Sequence, residues 1–167
     1  MSTVPTEAEE SRFWRLIESA WARVGPEESR RAALIDRETE DEAYALAPYL
    51  DAFLGHLRDL SADLSAAELT DLDRVLERKL YDLDRADIQE VTDGGDDGFL
   101  YCRGFIVAMG REFYDAVVAD PSVAVVDAEC EPMGYFFAHL HDSRFGGFPD
   151  TGSGISRETA SNTAGWD

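Results

Sequence analysis

The fold is decided by one stretch, Ser65-Ala-Ala-Glu68-Leu69-Thr-Asp-Leu72-Asp-Arg-Val-Leu76-Glu-Arg-Lys-Leu80-Tyr-Asp-Leu83. Its leucines recur every three or four residues, a spacing that places them on one face of an α-helix. Ser65 and Glu68 precede the stripe at the spacing of a capping box, which gives the helix a defined start. An apolar face of this length has to pack against other helices.

Helical patterns of the same kind flank this stretch and predict further helices. They cover residues 13–24, 48–60, 102–117 and 132–146. Gly104 and Gly110 interrupt the third pattern, and we expect each to lie where a neighbouring helix or side chain comes close. Only residues 122–126 have β-type composition. The sequence therefore predicts an all-α fold, a single compact bundle of about five or six helices.

The length and the composition favour one domain. A chain of 167 residues suits a single core. We predict an N-terminal tail at residues 1–8 and a helical domain at residues 9–146. Residues 147–167 are rich in Gly, Ser, Thr and Pro, which is typical of a flexible C-terminal tail.

The charge limits the classes of partner. The net charge is −20, from 35 acidic and 15 basic residues. Nucleic acids and anionic membranes attract clustered Lys and Arg, so neither is an expected partner, whereas a basic protein is. No segment has the roughly 20 apolar residues that a membrane-spanning helix needs. Two cysteines without a pairing motif and no apolar leader favour a reduced, cytoplasmic protein.

No motif for a metal, a cofactor or a nucleophile is recognisable, so we expect none of them. The Asp93–Gly98 turn superficially resembles a calcium loop, but the twelfth position counted from Asp93 is Gly104 rather than the required Glu. His139 and His141 are two residues apart and cannot share one helix face. A Gly-x-Ser-x-Gly elbow and a phosphate-binding glycine loop are absent. The turn itself has a structural explanation, with Gly94 as a left-handed helix end and Asp96 or Asp97 as the next cap.

Candidate binding residues are aromatic, acidic or Arg side chains near this turn or beside an apolar stripe. Trp, Tyr and Arg are enriched in binding hot spots, although aromatic residues beside a stripe more often widen the core. For Arg103 the simplest expectation is an ion pair with Asp97 or Glu18. The candidates are Trp14, Tyr81, Asp96, Asp97, Phe99, Tyr101 and Arg103.

Two segments resemble a known bacterial family. They are Phe13-Trp14-Arg15-Leu16-Ile17-Glu18 and Asp96-Asp97-Gly98-Phe99-Leu100-Tyr101-Cys102-Arg103-Gly104. Together with the end of the leucine helix they resemble the domain of unknown function forty-two forty, from about Arg12 to about Arg144. The resemblance implies a small all-helical domain common in actinobacteria, with no established activity and no catalytic residue to transfer. Cys102 departs from the pattern, which has an aromatic residue there.

Two functions remain open. The charge and the lack of catalytic motifs favour a non-enzymatic acidic binding or regulatory module of the bacterial cytoplasm, similar in role to an immunity protein or an adaptor. The alternative is a small hydrolase or ligand-binding enzyme with a pocket at the Asp96–Arg103 turn. In it Asp96 or Asp97 acts as a base, and Tyr101 and Arg103 hold the substrate.

Overall fold

The computed structural model of the protein describes residues 3–26 and 28–167. These residues contain helices and no β-strand, which confirms the all-α class, and residues 122–126 lie at a 3₁₀ turn (Pro121–Val123). The α-helices are α1 (Glu7–Val24), α2 (Glu28–Ala33), α3 (Asp41–Tyr44), α4 (Leu50–Ser61), α5 (Ala66–Asp82), α6 (Ala86–Thr92), α7 (Asp96–Ala108), α8 (Arg111–Ala119) and α9 (Phe136–Phe145). Their number exceeds the five or six predicted, because α2, α3 and α6 are short and because one predicted helix is divided into α7 and α8.

Helix α5 is the centre of the bundle. All five leucines of its stripe are buried, and the helix contacts α1, α7 and α9. The predicted capping box is present, since the Ser65 hydroxyl accepts from the backbone of Glu68 and the Glu68 carboxylate accepts from the backbone of Ser65. Among the described helices, none is long and apolar enough to cross a lipid bilayer.

The pattern of residues 102–117 forms two helices rather than one. Gly110 separates α7 from α8 with a φ of +101°, a conformation that favours glycine, and a Cβ atom there would collide with the Glu18 carboxylate. At Gly104, within α7, a Cβ atom would lie 2.6 Å from the carbonyl oxygen of Cys130. The expected close approach at each glycine is thus confirmed, although only Gly104 lies inside a helix.

The Asp93–Gly98 turn joins α6 to α7 in a different way from the one expected. Asp93, not Gly94, takes the left-handed conformation that ends α6, with a φ of 60°. Gly94 is required for space, because a Cβ atom there would lie 2.6 Å from the backbone nitrogen of Phe99. Neither Asp96 nor Asp97 caps α7; both lie in its first turn, where the helix dipole favours negative charge.

Residues 147–167, named here the C-terminal segment, were expected to be flexible, and the structure differs. Thr151, Ser153 and Arg157 of this segment are buried against the bundle. Further along, the buried carboxylate of Asp84 accepts the indole N–H of Trp166 at 2.9 Å and two backbone N–H groups. Composition predicted mobility because it does not reveal the buried carboxylates that bind these polar groups. The domain limits at residues 9 and 146 stay a prediction.

Candidate functional site

A cavity of about 360 Å³ opens where α7, α9 and the C-terminal segment meet, and it is named here the acidic pocket. Three carboxylates, two phenols and an imidazole give it a mixed acidic and aromatic wall. The lining residues are Asp97, Leu100, Tyr101, Glu131, Pro132, Tyr135, His139 and Glu158.

Helix α7 supplies one wall through simple periodicity. Asp97, Leu100 and Tyr101 are three and four residues apart, so they share one face of the helix. The facing wall begins with the 3₁₀ turn Glu131–Met133, which comes close to α7 because residue 104 is glycine. The backbone N–H of Cys130 donates to the Tyr101 carbonyl at 2.9 Å and fixes this turn against the helix.

The C-terminal segment supplies the third wall through Glu158. The Tyr135 hydroxyl donates to the Glu158 carboxylate at 2.6 Å. Burial and this hydrogen bond raise the pKa of Tyr135 to about 12. The negative charge of Glu131, helped by burial and by Asp97, also raises the pKa of Tyr101. Both phenols are therefore neutral hydrogen-bond donors near pH 7, and the carboxylates set the electrostatic potential of the pocket.

Of the seven residues proposed from the sequence, Asp97 and Tyr101 line the acidic pocket. Asp96 is exposed beside it, and its carbonyl accepts the Thr159 hydroxyl at 2.5 Å. The other aromatic candidates lie elsewhere. Trp14 is buried against the rings of Phe13 and Tyr114, Tyr81 lies under the guanidinium of Arg78, and Phe99 is buried against Trp166.

Arg103 is fully buried and does not line the pocket. Its guanidinium donates to the Leu80 carbonyl at 2.8 Å and to the Thr159 hydroxyl at 3.3 Å, and burial lowers its pKa to about 10. The expected ion pair with Asp97 or Glu18 is wrong: within the described part of the chain no carboxylate forms a salt bridge with Arg103. Leu80 lies in the last turn of α5, whose carbonyls lack partners inside the helix, so Arg103 caps that end.

Sequence reasoning missed most of the facing wall. Pro132, Tyr135 and His139 follow one another at intervals of three and four, a signal that was available. Nothing in the sequence marks Glu131 as a site residue except that it directly precedes Pro132, the first residue of this pattern. Glu158 could not have been found, because its place depends on how the C-terminal segment folds back.

The described residues hold no group of three or more His, Cys, Asp or Glu side chains arranged to bind a metal ion. The two cysteines are buried, and burial raises the pKa of Cys102 to about 11 and that of Cys130 to about 12. Both thiols are therefore protonated at neutral pH and are poor nucleophiles.

Comparison with known protein families gives a match over most of the chain. The family described as "Protein of unknown function (DUF4240)" matches residues 8–141, which include α1 from its second residue, α2 to α8 and the first six residues of α9. Curated proteins and solved structures yield no match. Because the matched region covers well over half of the chain, the protein belongs to this family of unknown function.

Proposed function

We propose that the protein is a non-enzymatic binding module, in the manner of an immunity protein or an adaptor, that takes a basic side chain of a protein partner into the acidic pocket. The observation that carries the proposal is the wall of the pocket, where three carboxylates stand beside two neutral tyrosines. A cytoplasmic location and a bacterial host are part of the same proposal.

The chemistry of the wall suits a cation in two ways. Carboxylates attract an ammonium or guanidinium group, and aromatic faces bind the same groups through cation–π contacts. The raised pKa of Tyr101 supports this reading, because its first cause is the negative charge of Glu131. A side chain of arginine or lysine also fits the available volume of about 360 Å³.

The charge of the whole molecule supports a protein partner. With a net charge of −20, the domain attracts a basic surface over distances set by the ionic strength and guides it to the pocket. Association driven in this way is fast at low salt and weakens as salt is added.

The alternative, a small hydrolase at the Asp96–Arg103 turn, has less support. It needs Arg103 to hold an anionic substrate, yet that guanidinium is buried and donates to Leu80 and Thr159. Asp97, one of the two residues assigned as the base, and Tyr101 remain at the pocket, so the role that loses support is the one assigned to Arg103.

The test uses a short peptide probe, acetyl-Ala-Lys-Arg-Ala-amide, with binding followed by calorimetry at low and physiological salt. Glu131→Gln and Glu158→Gln should each weaken binding about three- to tenfold and reduce its salt dependence. Glu38→Gln is the matched control, since Glu38 is an exposed glutamate outside the pocket.

Equal loss in the control variant would show that only net charge matters and would contradict the proposed site. Binding of the peptide that is unchanged in both pocket variants would do the same. Affinity capture of a basic protein from the host, lost in the Glu131→Gln variant and kept in the Glu38→Gln variant, would then identify the partner.

A further inference from the structure

A second polar cluster adjoins the acidic pocket and surrounds the guanidinium of Arg157. This group forms two parallel hydrogen bonds with the two carboxylate oxygens of Asp73, each 3.0 Å long. It also donates to Glu77 at 3.2 Å and to the Gly134 carbonyl at 2.9 Å. The ring of Tyr135 lies against it, with 4.6 Å from the guanidinium carbon to the ring centroid.

These contacts select one chemical group. A planar guanidinium meets a carboxylate through two parallel bonds, stacks on an aromatic ring and keeps further N–H groups for other acceptors. A lysine ammonium is a point charge and cannot form the same set. The cluster therefore has the composition of an arginine-recognition site.

The site and its occupant come from different parts of the chain. The four recognising residues lie in α5 and immediately before α9, inside the region that matches the family. Arg157 lies beyond that region, in a stretch from residue 148 to residue 157 that forms neither helix nor strand. A cavity of about 200 Å³ opens beside the guanidinium, between the recognising residues and the stretch that carries Arg157.

Without the guanidinium of Arg157, the site would strongly attract another cation. Asp73 is almost fully buried, and burial raises its pKa against the attraction of Arg157. Glu77 is also buried and accepts the hydroxyls of Thr151 and Ser153. Without Arg157, these buried carboxylates lose the salt bridges that Arg157 forms with both of them, a loss that is strongly unfavourable.

We propose that Asp73, Glu77, the Gly134 carbonyl and Tyr135 form a binding site for an alkylguanidinium group. Arg157 occupies it from within the chain, and an arginine side chain of a partner occupies it when the C-terminal segment is displaced. The inference stands apart from the role of the acidic pocket, because its test needs no ligand in that pocket.

The test is chemical rescue of the Arg157→Ala variant, followed as the melting temperature. Acetyl-arginine amide represents a polypeptide arginine, free L-arginine represents the amino acid, and acetyl-lysine amide is the control compound. We expect a saturable rise of about 3–5 °C with an arginine compound at ten times its Kd, and none with the lysine compound. Wild type should not respond at the same concentrations, since Arg157 competes at a high effective concentration.

Two control variants make the result specific. Adding Asp73→Asn to Arg157→Ala should abolish the rescue. Arg103→Ala empties a buried guanidinium position whose hydrogen-bond partners, among the described residues, are a carbonyl and a hydroxyl rather than a carboxylate, so arginine compounds should not rescue it. Rescue by the amide shows that the site takes a polypeptide arginine, and rescue by free arginine alone assigns it to the amino acid.

Three results would overturn the proposal: no response of Arg157→Ala to either arginine compound, an equal response to the lysine compound, or a response that survives Asp73→Asn. If Arg157→Ala does not fold by itself, recovery of its helical circular dichroism on refolding with each compound replaces the melting temperature. Failure of the arginine compounds to restore the fold would then count against the site.

Discussion

Replacing Gly104 by alanine tests the contact that brings the Glu131–Met133 turn against α7. A Cβ atom at residue 104 would lie 2.6 Å from the Cys130 carbonyl oxygen, whereas ordinary van der Waals contact begins at 3.4 Å. The atom it meets is backbone, and the adjoining N–H of Cys130 is bonded to Tyr101, so no side-chain rotation relieves the overlap. Overpacking of this kind costs about 1–3 kcal/mol.

Helix propensity acts in the opposite direction, because alanine is favoured over glycine inside a helix by about 1 kcal/mol. The steric cost is larger, and we expect Gly104→Ala to lower the free energy of unfolding by about 1–2 kcal/mol. The matched control is Gly55→Ala in α4, where a Cβ atom would have no neighbour within 4 Å. That variant should gain up to about 1 kcal/mol.

Urea titration followed by circular dichroism measures both variants against wild type. Their free energies of unfolding should differ by about 1–3 kcal/mol, with opposite signs relative to wild type. A Gly104→Ala protein as stable as Gly55→Ala would refute the close approach. Because the turn carries Glu131 and Pro132, Gly104→Ala should also weaken binding of the basic peptide, and Gly55→Ala should not.

Three further substitutions or labelling experiments probe the rest of the molecule. Leu76→Ala should lower the free energy of unfolding by about 2–5 kcal/mol, since the side chain is fully buried; a loss under about 0.5 kcal/mol would mean that the stripe is not core. Cys102 and Cys130 should react with a thiol reagent at neutral pH only after denaturation, because burial raises both pKa values; fast labelling of the folded protein would contradict this. Arg103→Met should cost about 1–3 kcal/mol in urea titration because the Leu80 carbonyl loses its donor, and a larger loss would point to an unpaired carboxylate.

Local chemistry explains which parts of the fold could be predicted from the sequence. The α5 stripe and its capping box depend only on residue spacing within one helix, so both were predicted correctly. The break between α7 and α8 at Gly110 was not predicted. It depends on the side chains of Glu18 and Arg31, which belong to other helices and come close to Gly110 only in the folded protein. Short helices such as α3 bury too few residues to produce a pattern.

The candidate site also contains some residues that could be predicted from the sequence and others that could not. Asp97 and Tyr101 were found because they share one helix face beside a recognisable turn. Glu158 was missed because the C-terminal segment is held by long-range polar contacts, such as the pair of Arg157 and Asp73, and composition alone suggests mobility. Hydrogen bonds and ion pairs between residues that are far apart in the sequence produce no periodic pattern from which they could be predicted.

Some of the few cations of this chain act inside the fold. Arg31, Arg103 and Arg157 are buried, and each donates to a backbone carbonyl, of Met109, Leu80 and Gly134 respectively. Arginine is suited to donate to a buried backbone carbonyl, because one N–H group of its guanidinium can do so while the others remain available for a second partner. Arg31 also pairs with the partly exposed carboxylate of Glu18, and Arg157 pairs with the buried carboxylate of Asp73. The carboxylates of Asp73, Glu77 and Asp84 are buried as well, so among the described residues the buried charges balance. The exposed surface therefore keeps the excess of negative charge that the sequence gives it, and this excess attracts a basic partner.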